Sequence, residues 1–140
     1  MLLDRGANAN AQDKEGWSPL HLASSEGRTA MVDLLLDRGA NANAEDKEGW
    51  TPLHLASSDG YTEVVRLLLD RGANANAEDK EGWTPLHLAS SDGHTETARL
   101  LLDRGASADV KNKKGRTPLQ VASTQGMDSI VQMLTEYGAQ

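Results

Sequence analysis

Apolar residues fall in two short clusters that recur along the chain. Within residues 46–78 the first cluster holds Leu53, Leu55 and Ala56, and the second holds Val64, Val65, Leu67, Leu68 and Leu69. Each is bounded by residues that start or stop helices. Thr51 and Pro52 precede the first cluster and Gly60 follows it; Thr62 opens the second and Gly72 ends it. A threonine hydroxyl accepts from the free N–H groups of a first helical turn, and proline costs nothing there because its missing N–H has no helical partner. Glu63 lies near the positive end of the second helix, which favours an acid, and Gly72 suits a left-handed C-terminal stop. The pattern predicts two short helices. Asn74, Asn76, Asp79 and Gly82 then supply turn formers for a hairpin-like connection. Neither helix would persist alone at this length, so stacking between units must hold them.

The unit repeats every 33 residues. Trp17-Ser18-Pro19-Leu20-His21-Leu22-Ala23 returns as Trp50-Thr51-Pro52-Leu53-His54-Leu55-Ala56 and as Trp83-Thr84-Pro85-Leu86-His87-Leu88-Ala89. A degenerate fourth copy reads Arg116-Thr117-Pro118-Leu119-Gln120-Val121-Ala122. Segments 17–49 and 50–82 agree at 27 of 33 positions, and 50–82 and 83–115 at 24 of 33. This period with a Thr-Pro-Leu-His-x-Ala core resembles the ankyrin repeat over nearly the whole chain. The resemblance implies an all-α solenoid of stacked helix-turn-helix units joined by hairpin-like loops. Its expected units are a partial repeat at 1–12, full repeats at 13–45, 46–78 and 79–111, and a C-terminal capping repeat at 112–140. Two positions depart from the family pattern. Ala42 and Ala75 stand where a packed Val is usual, which removes buried methyl groups. Ser24, Ser57 and Ser90 stand where a second Ala is favoured.

The two ends differ. In the fourth unit Gln120 replaces the histidine and Val121 a leucine, and Gln132 and Thr135 bring polarity to its second helix, as a terminal repeat requires. At the other end Leu2-Leu3-Asp4-Arg5-Gly6 matches Leu35-Leu36-Asp37-Arg38-Gly39, as though the chain began inside the last turn of a helix. The expectation is an apolar face over about 19–38 that meets water, frays, or is covered by head-to-head self-association.

Composition narrows the classes. Only 4% of residues are aromatic and none is Phe, so Leu, Val and Ala must fill a thin core. Absent cysteine excludes disulfides and thiolate metal sites, and suits a reducing compartment. No basic segment leads into an apolar one at the N-terminus, and no apolar run approaches membrane length. The expectation is a soluble, cytoplasmic protein. A net charge of -7 argues against general nucleic-acid binding, which needs a basic footprint.

Candidate chemistry is sparse. His21, His54 and His87 recur in register, but neighbouring units stack at roughly 8–10 Å. Zinc needs nitrogens about 2.0–2.1 Å away, so equivalent histidines cannot share one ion. The histidines are therefore expected to bond backbone near the loops, with no metal and no cofactor. The pairs Ser24-Ser25, Ser57-Ser58 and Ser90-Ser91 repeat with the unit, whereas a hydrolase needs one activated serine with an oriented base. Neither a G-x-S-x-G elbow nor a phosphate-binding loop is present. No enzymatic activity is expected.

The resemblance points instead to a protein-binding scaffold that uses its concave, loop-side face. Trp17, Trp50 and Trp83 occupy a place that ankyrin proteins vary for partner contact, and Trp is enriched at binding hot spots. Because all three are the same, the reading is packing with partial exposure. Other variable surface places fall on Lys14, Glu15 and Glu26, on Lys47, Glu48 and Asp59, and on Lys80, Glu81 and Asp92. Lys113, Lys114 and Arg116 complete the candidate face. The fourth unit also carries Lys111, with no acid between Asp109 and Asp128. Such a gradient can orient a partner of opposite polarity, although a solvated loop is the simpler reading. Two alternatives are an engineered or truncated array with no evolved ligand, and a targeting appendage of a larger enzyme.

Overall fold

The computed structural model describes residues 8–138 and forms them into eight helices. These are α1 (Pro19–Ser25), α2 (Thr29–Asp37), α3 (Pro52–Asp59), α4 (Thr62–Asp70), α5 (Pro85–Ser91), α6 (Thr95–Asp103), α7 (Pro118–Thr124) and α8 (Asp128–Glu136). Each odd-numbered helix packs on the even-numbered helix that follows it. The odd helices also stack in one layer and the even helices in a second. The result is an all-α solenoid of four helix pairs.

The starts and stops are those the residues dictate. Ser18, Thr51, Thr84 and Thr117 are N-caps in extended conformation, and each hydroxyl accepts the N–H of the residue three places on. That residue (His21, His54, His87 or Gln120) reaches back with its own side chain to accept the cap residue's N–H. Two orphan donors are satisfied at once. Gly60 closes α3 in the left-handed region at φ +73°, and Gly93 lies there too at φ +79°. These glycines have a second reason to lack a side chain. The residue that opens the next unit's second helix lies over them, so a Cβ at Gly60 would meet Nδ1 of His94 at 2.5 Å and one at Gly93 would meet Sδ of Met127 at 3.0 Å.

The core is a thin continuous seam. Leu20, Leu53, Leu86 and Ala122 fill it from the odd helices, and Leu35, Leu68, Leu101 and Leu134 from the even ones. In α4 Val64, Val65 and Leu68 are buried, whereas Leu67 and Leu69 are only half-buried. A helix packed along one stripe cannot bury three consecutive leucines, since each residue turns about 100° from the last. His54 and Ser57 are fully buried in α3, and His21, Ser24, His87 and Ser90 match them. Outside the seam Arg71 pairs with Asp33 at 2.7 Å and Asp37 at 2.8 Å, and Arg104 with Asp70 at 2.7 Å. Tyr137 takes the arginine's place at the end of this row, donating to Asp103 at 2.6 Å.

The expectation of a bare N-terminal face rests on residues 1–6, which lie outside the described residues. Within the first pair Leu20, Ala23, Val32 and Leu35 are buried. Leu22 is 51% exposed, against 8% for its equivalent Leu88. In the fourth unit Gln120, Gln132 and Thr135 are exposed.

Candidate interaction face

Four hairpins project beside the odd helices, and each is built around one acid or amide. Asp46 N–H donates to the Trp50 carbonyl at 2.9 Å, and its Oδ1 accepts from Glu48 N at 2.8 Å and Trp50 N at 2.9 Å. Asp13 and Asp79 make the same three bonds in their own hairpins, and Asn112 makes them in the fourth. The hairpin tips are then tied together: Lys47 N donates to Glu15 O at 3.0 Å, Lys80 N to Glu48 O at 3.0 Å and Lys113 N to Glu81 O at 2.9 Å. Backbone bonding therefore sets four tips in one row.

Lys14, Glu15, Lys47, Glu48, Lys80 and Glu81 are exposed, as are Lys113, Lys114 and Arg116. Trp17, Trp50 and Trp83 are half-buried. Each indole packs on the histidine of its own unit, with ring centroids 6.0, 5.7 and 5.6 Å apart for Trp17–His21, Trp50–His54 and Trp83–His87. Trp17 Nε1 also donates to Asp46 Oδ2 at 3.1 Å, which ties the first indole to the second hairpin. A shallow groove remains there, lined by Asp13, Glu15, Trp17, Asp46, Lys47 and Glu48. Glu26, Asp59 and Asp92 are exposed at the C-terminal ends of α1, α3 and α5. Glu26 pairs with Arg28 at 2.8 Å, and Asp92 accepts from Ser58 Oγ at 3.1 Å. The candidate residues thus form two neighbouring rows, hairpin tips and helix ends.

The histidines bridge units. His54 Nδ1 accepts from Thr51 N, and Nε2 donates to the Trp83 carbonyl at 2.9 Å. His21 bonds the Trp50 carbonyl and His87 the Arg116 carbonyl in the same way. A carbonyl can only accept and an amide N–H can only donate, so the ring is neutral with its proton on Nε2. Burial pushes His54 and His87 below the ordinary histidine value of 6.5, with the Trp83 and Arg116 carbonyls pulling the other way. Among the described residues no three His, Cys, Asp or Glu side chains are placed to hold a metal ion.

One set of functional contacts was not visible one unit at a time. Asn76 reads as a turn former, yet it and its equivalents Asn10 and Asn43 each reach the next unit. Asn43 Nδ2 donates to Gly72 O at 3.1 Å while its Oδ1 accepts from Asn74 N at 2.7 Å. Asn10 bonds Gly39 O and Asn41 N likewise, and Asn76 bonds Gly105 O and Ser107 N. Their exact 33-residue spacing was the available signal. A second set is negative: Oγ of Ser24, Ser57 and Ser90, and Nδ2 of Asn112, are buried without a hydrogen-bond partner.

A family model for ankyrin repeats (three copies) matches the chain over residues 1–79 and again over 72–140. No curated protein matches it significantly.

Proposed function

The chain belongs to the ankyrin-repeat family, and from that premise we propose that it is a non-catalytic scaffold that binds a protein partner across its hairpin tips and the adjoining helix ends. Arrays of this family are generally protein-interaction modules. The observation that carries the reading is the row of tips locked by Lys47–Glu15, Lys80–Glu48 and Lys113–Glu81 backbone bonds. A recognition surface that is already ordered loses little freedom on binding. Exposed Lys and Glu side chains on that row supply polarity, and the open edges of Trp17, Trp50 and Trp83 supply apolar contact. The cytoplasm is the proposed setting, since the chain has no cysteine to oxidise.

The test compares the native array with a Trp50→Ala/Trp83→Ala version whose helicity is first matched by circular dichroism. Captured proteins are identified, purified and titrated against both. The expected result is a partner that binds the native array and weakens at least tenfold on the double variant. Partners that bind both equally would defeat the reading.

A further inference from the structure

The fourth hairpin differs from the other three in charge while keeping their shape. In register, Glu78, Asp79, Lys80, Glu81 and Trp83 of the third become Lys111, Asn112, Lys113, Lys114 and Arg116. Three acids against one lysine give way to four cations and no acid. All four cations are exposed, and among the described residues no carboxylate pairs with any of them. The hairpin that carries them is closed on itself and tied to the third unit. Arg116 O accepts from Asn112 N and from His87 Nε2, both at 2.9 Å, and Lys113 N bonds Glu81 O at 2.9 Å.

Asn112 sharpens the picture. It is 5% exposed, and its Oδ1 accepts from Lys114 N at 3.0 Å and Arg116 N at 3.1 Å, just as the Asp46 and Asp79 carboxylates serve their own hairpins. Its Nδ2, however, is buried with no acceptor. An aspartate would leave no orphan donor there and would accept more strongly. It would also set a counter-charge beneath the cations. The asparagine keeps the turn and leaves the cations uncompensated from within.

We infer that the fourth hairpin is the anchor for a short acidic segment of the protein partner, held by Lys111, Lys113, Lys114 and Arg116, with the rest of the partner running back over the earlier tips. This rests on the reading of the tips as the binding face. A nucleic acid fits poorly, because its charge continues every ~1.7 Å and would run onto Glu81, Glu48 and Glu15 of a chain with net charge -7. A peptide carries its acids only where they are needed. The field of the cluster fades within about 8 Å at physiological salt, so it reads local charge rather than the protein's total.

Fluorescein-labelled octaglutamate is the probe, titrated by anisotropy at low and at physiological salt. Lys111→Glu/Lys114→Glu copies the residues already tolerated at 78 and 81, so the hairpin has a precedent for folding; its urea midpoint serves as the check. The expected result is salt-sensitive binding that falls at least tenfold in this double variant and is unchanged in Arg66→Glu, a charge reversal on α4 rather than on a hairpin tip. Absence of binding to the native array, equal binding to the double variant, or binding of a single-stranded oligothymidylate as tight as octaglutamate would each overturn the anchor. Should the anchor fail while partner capture still depends on Trp50 and Trp83, only this inference falls. Loss of both would remove the face as well.

Discussion

Ser24, Ser57 and Ser90 are fully buried, and their hydroxyls have no partner. Replacing each with alanine should therefore stabilise the array. An unpaired buried hydroxyl costs on the order of 1–3 kcal/mol by mutational measures. Alanine keeps the Cβ that packs against the neighbouring odd helices, and gains about 0.5 kcal/mol in helix propensity. Against this stands the small void left by one oxygen, whose lining loses dispersion contacts. The balance is about 1 kcal/mol per site, or about 3 kcal/mol for the triple variant if the units respond independently. Urea titration followed by far-ultraviolet circular dichroism measures it. The midpoint should rise with each substitution, and the slope should stay constant if the same surface is exposed on unfolding. A triple variant whose midpoint equals or falls below the parent's would refute the argument, and would show that these hydroxyls bond a carbonyl one turn back in solution.

Gly60→Val and Gly93→Val should each cost about 1 kcal/mol or more of stability, read as a lower urea midpoint, with Lys47→Ala near neutral. Gly60 should suffer most, since its new Cβ meets an imidazole at 2.5 Å rather than a flexible thioether at 3.0 Å; parent-like midpoints would show the turns are misread. Asn43→Asp keeps the acceptor for Asn74 N but loses the donor to Gly72 O, so it should cost about 1 kcal/mol, and Asn43→Ala, which loses both, should cost more. Equal midpoints for Asp and Ala would discount the donor. His54 and His87 are held below 6.5 when folded, so the unfolded chain takes up protons first. Their contribution is complete above pH 6.5 and is lost as pH falls from there through the folded values. Urea midpoints should drop between pH 7.5 and 5.5, and His54→Gln/His87→Gln should flatten that slope because Gln120 already serves the same cap; an unchanged slope in the variant would assign the effect elsewhere.

Local chemistry was legible in the sequence. Thr51, Pro52 and Gly60 mark the limits of α3 because caps, prolines and left-handed glycines act within a turn of themselves. The stacked helix pairs followed from the resemblance to the ankyrin repeat that the 33-residue period and its Thr-Pro-Leu-His core carry. Contacts between units were harder to read. Tyr61 lies over Gly27 and His94 over Gly60, pairings that span 34 residues and depend on which side of the stack each side chain faces. Burial of Ser57 is invisible to a polarity pattern, because the residue is small enough to sit on the seam without filling it. The charged residues of the tip row are exposed, as their side chains imply. The row's internal bracing was not legible, since backbone bonds leave no mark on side-chain identity.

That bracing has a consequence for how such an array can change. His21, His54 and His87 bond the carbonyls of Trp50, Trp83 and Arg116, and Asn10, Asn43 and Asn76 bond the carbonyls of Gly39, Gly72 and Gly105. Every acceptor is main chain, so these six bonds do not inspect the neighbour's side chains, unlike the arginine–carboxylate pairs that also join the units. Arg116 occupies the tryptophan position, and His87 holds it at the same 2.9 Å. Recognition and assembly are therefore written in separate alphabets: the tips can be respelled, or a whole unit copied into the row, without renegotiating the bonds that keep the row together.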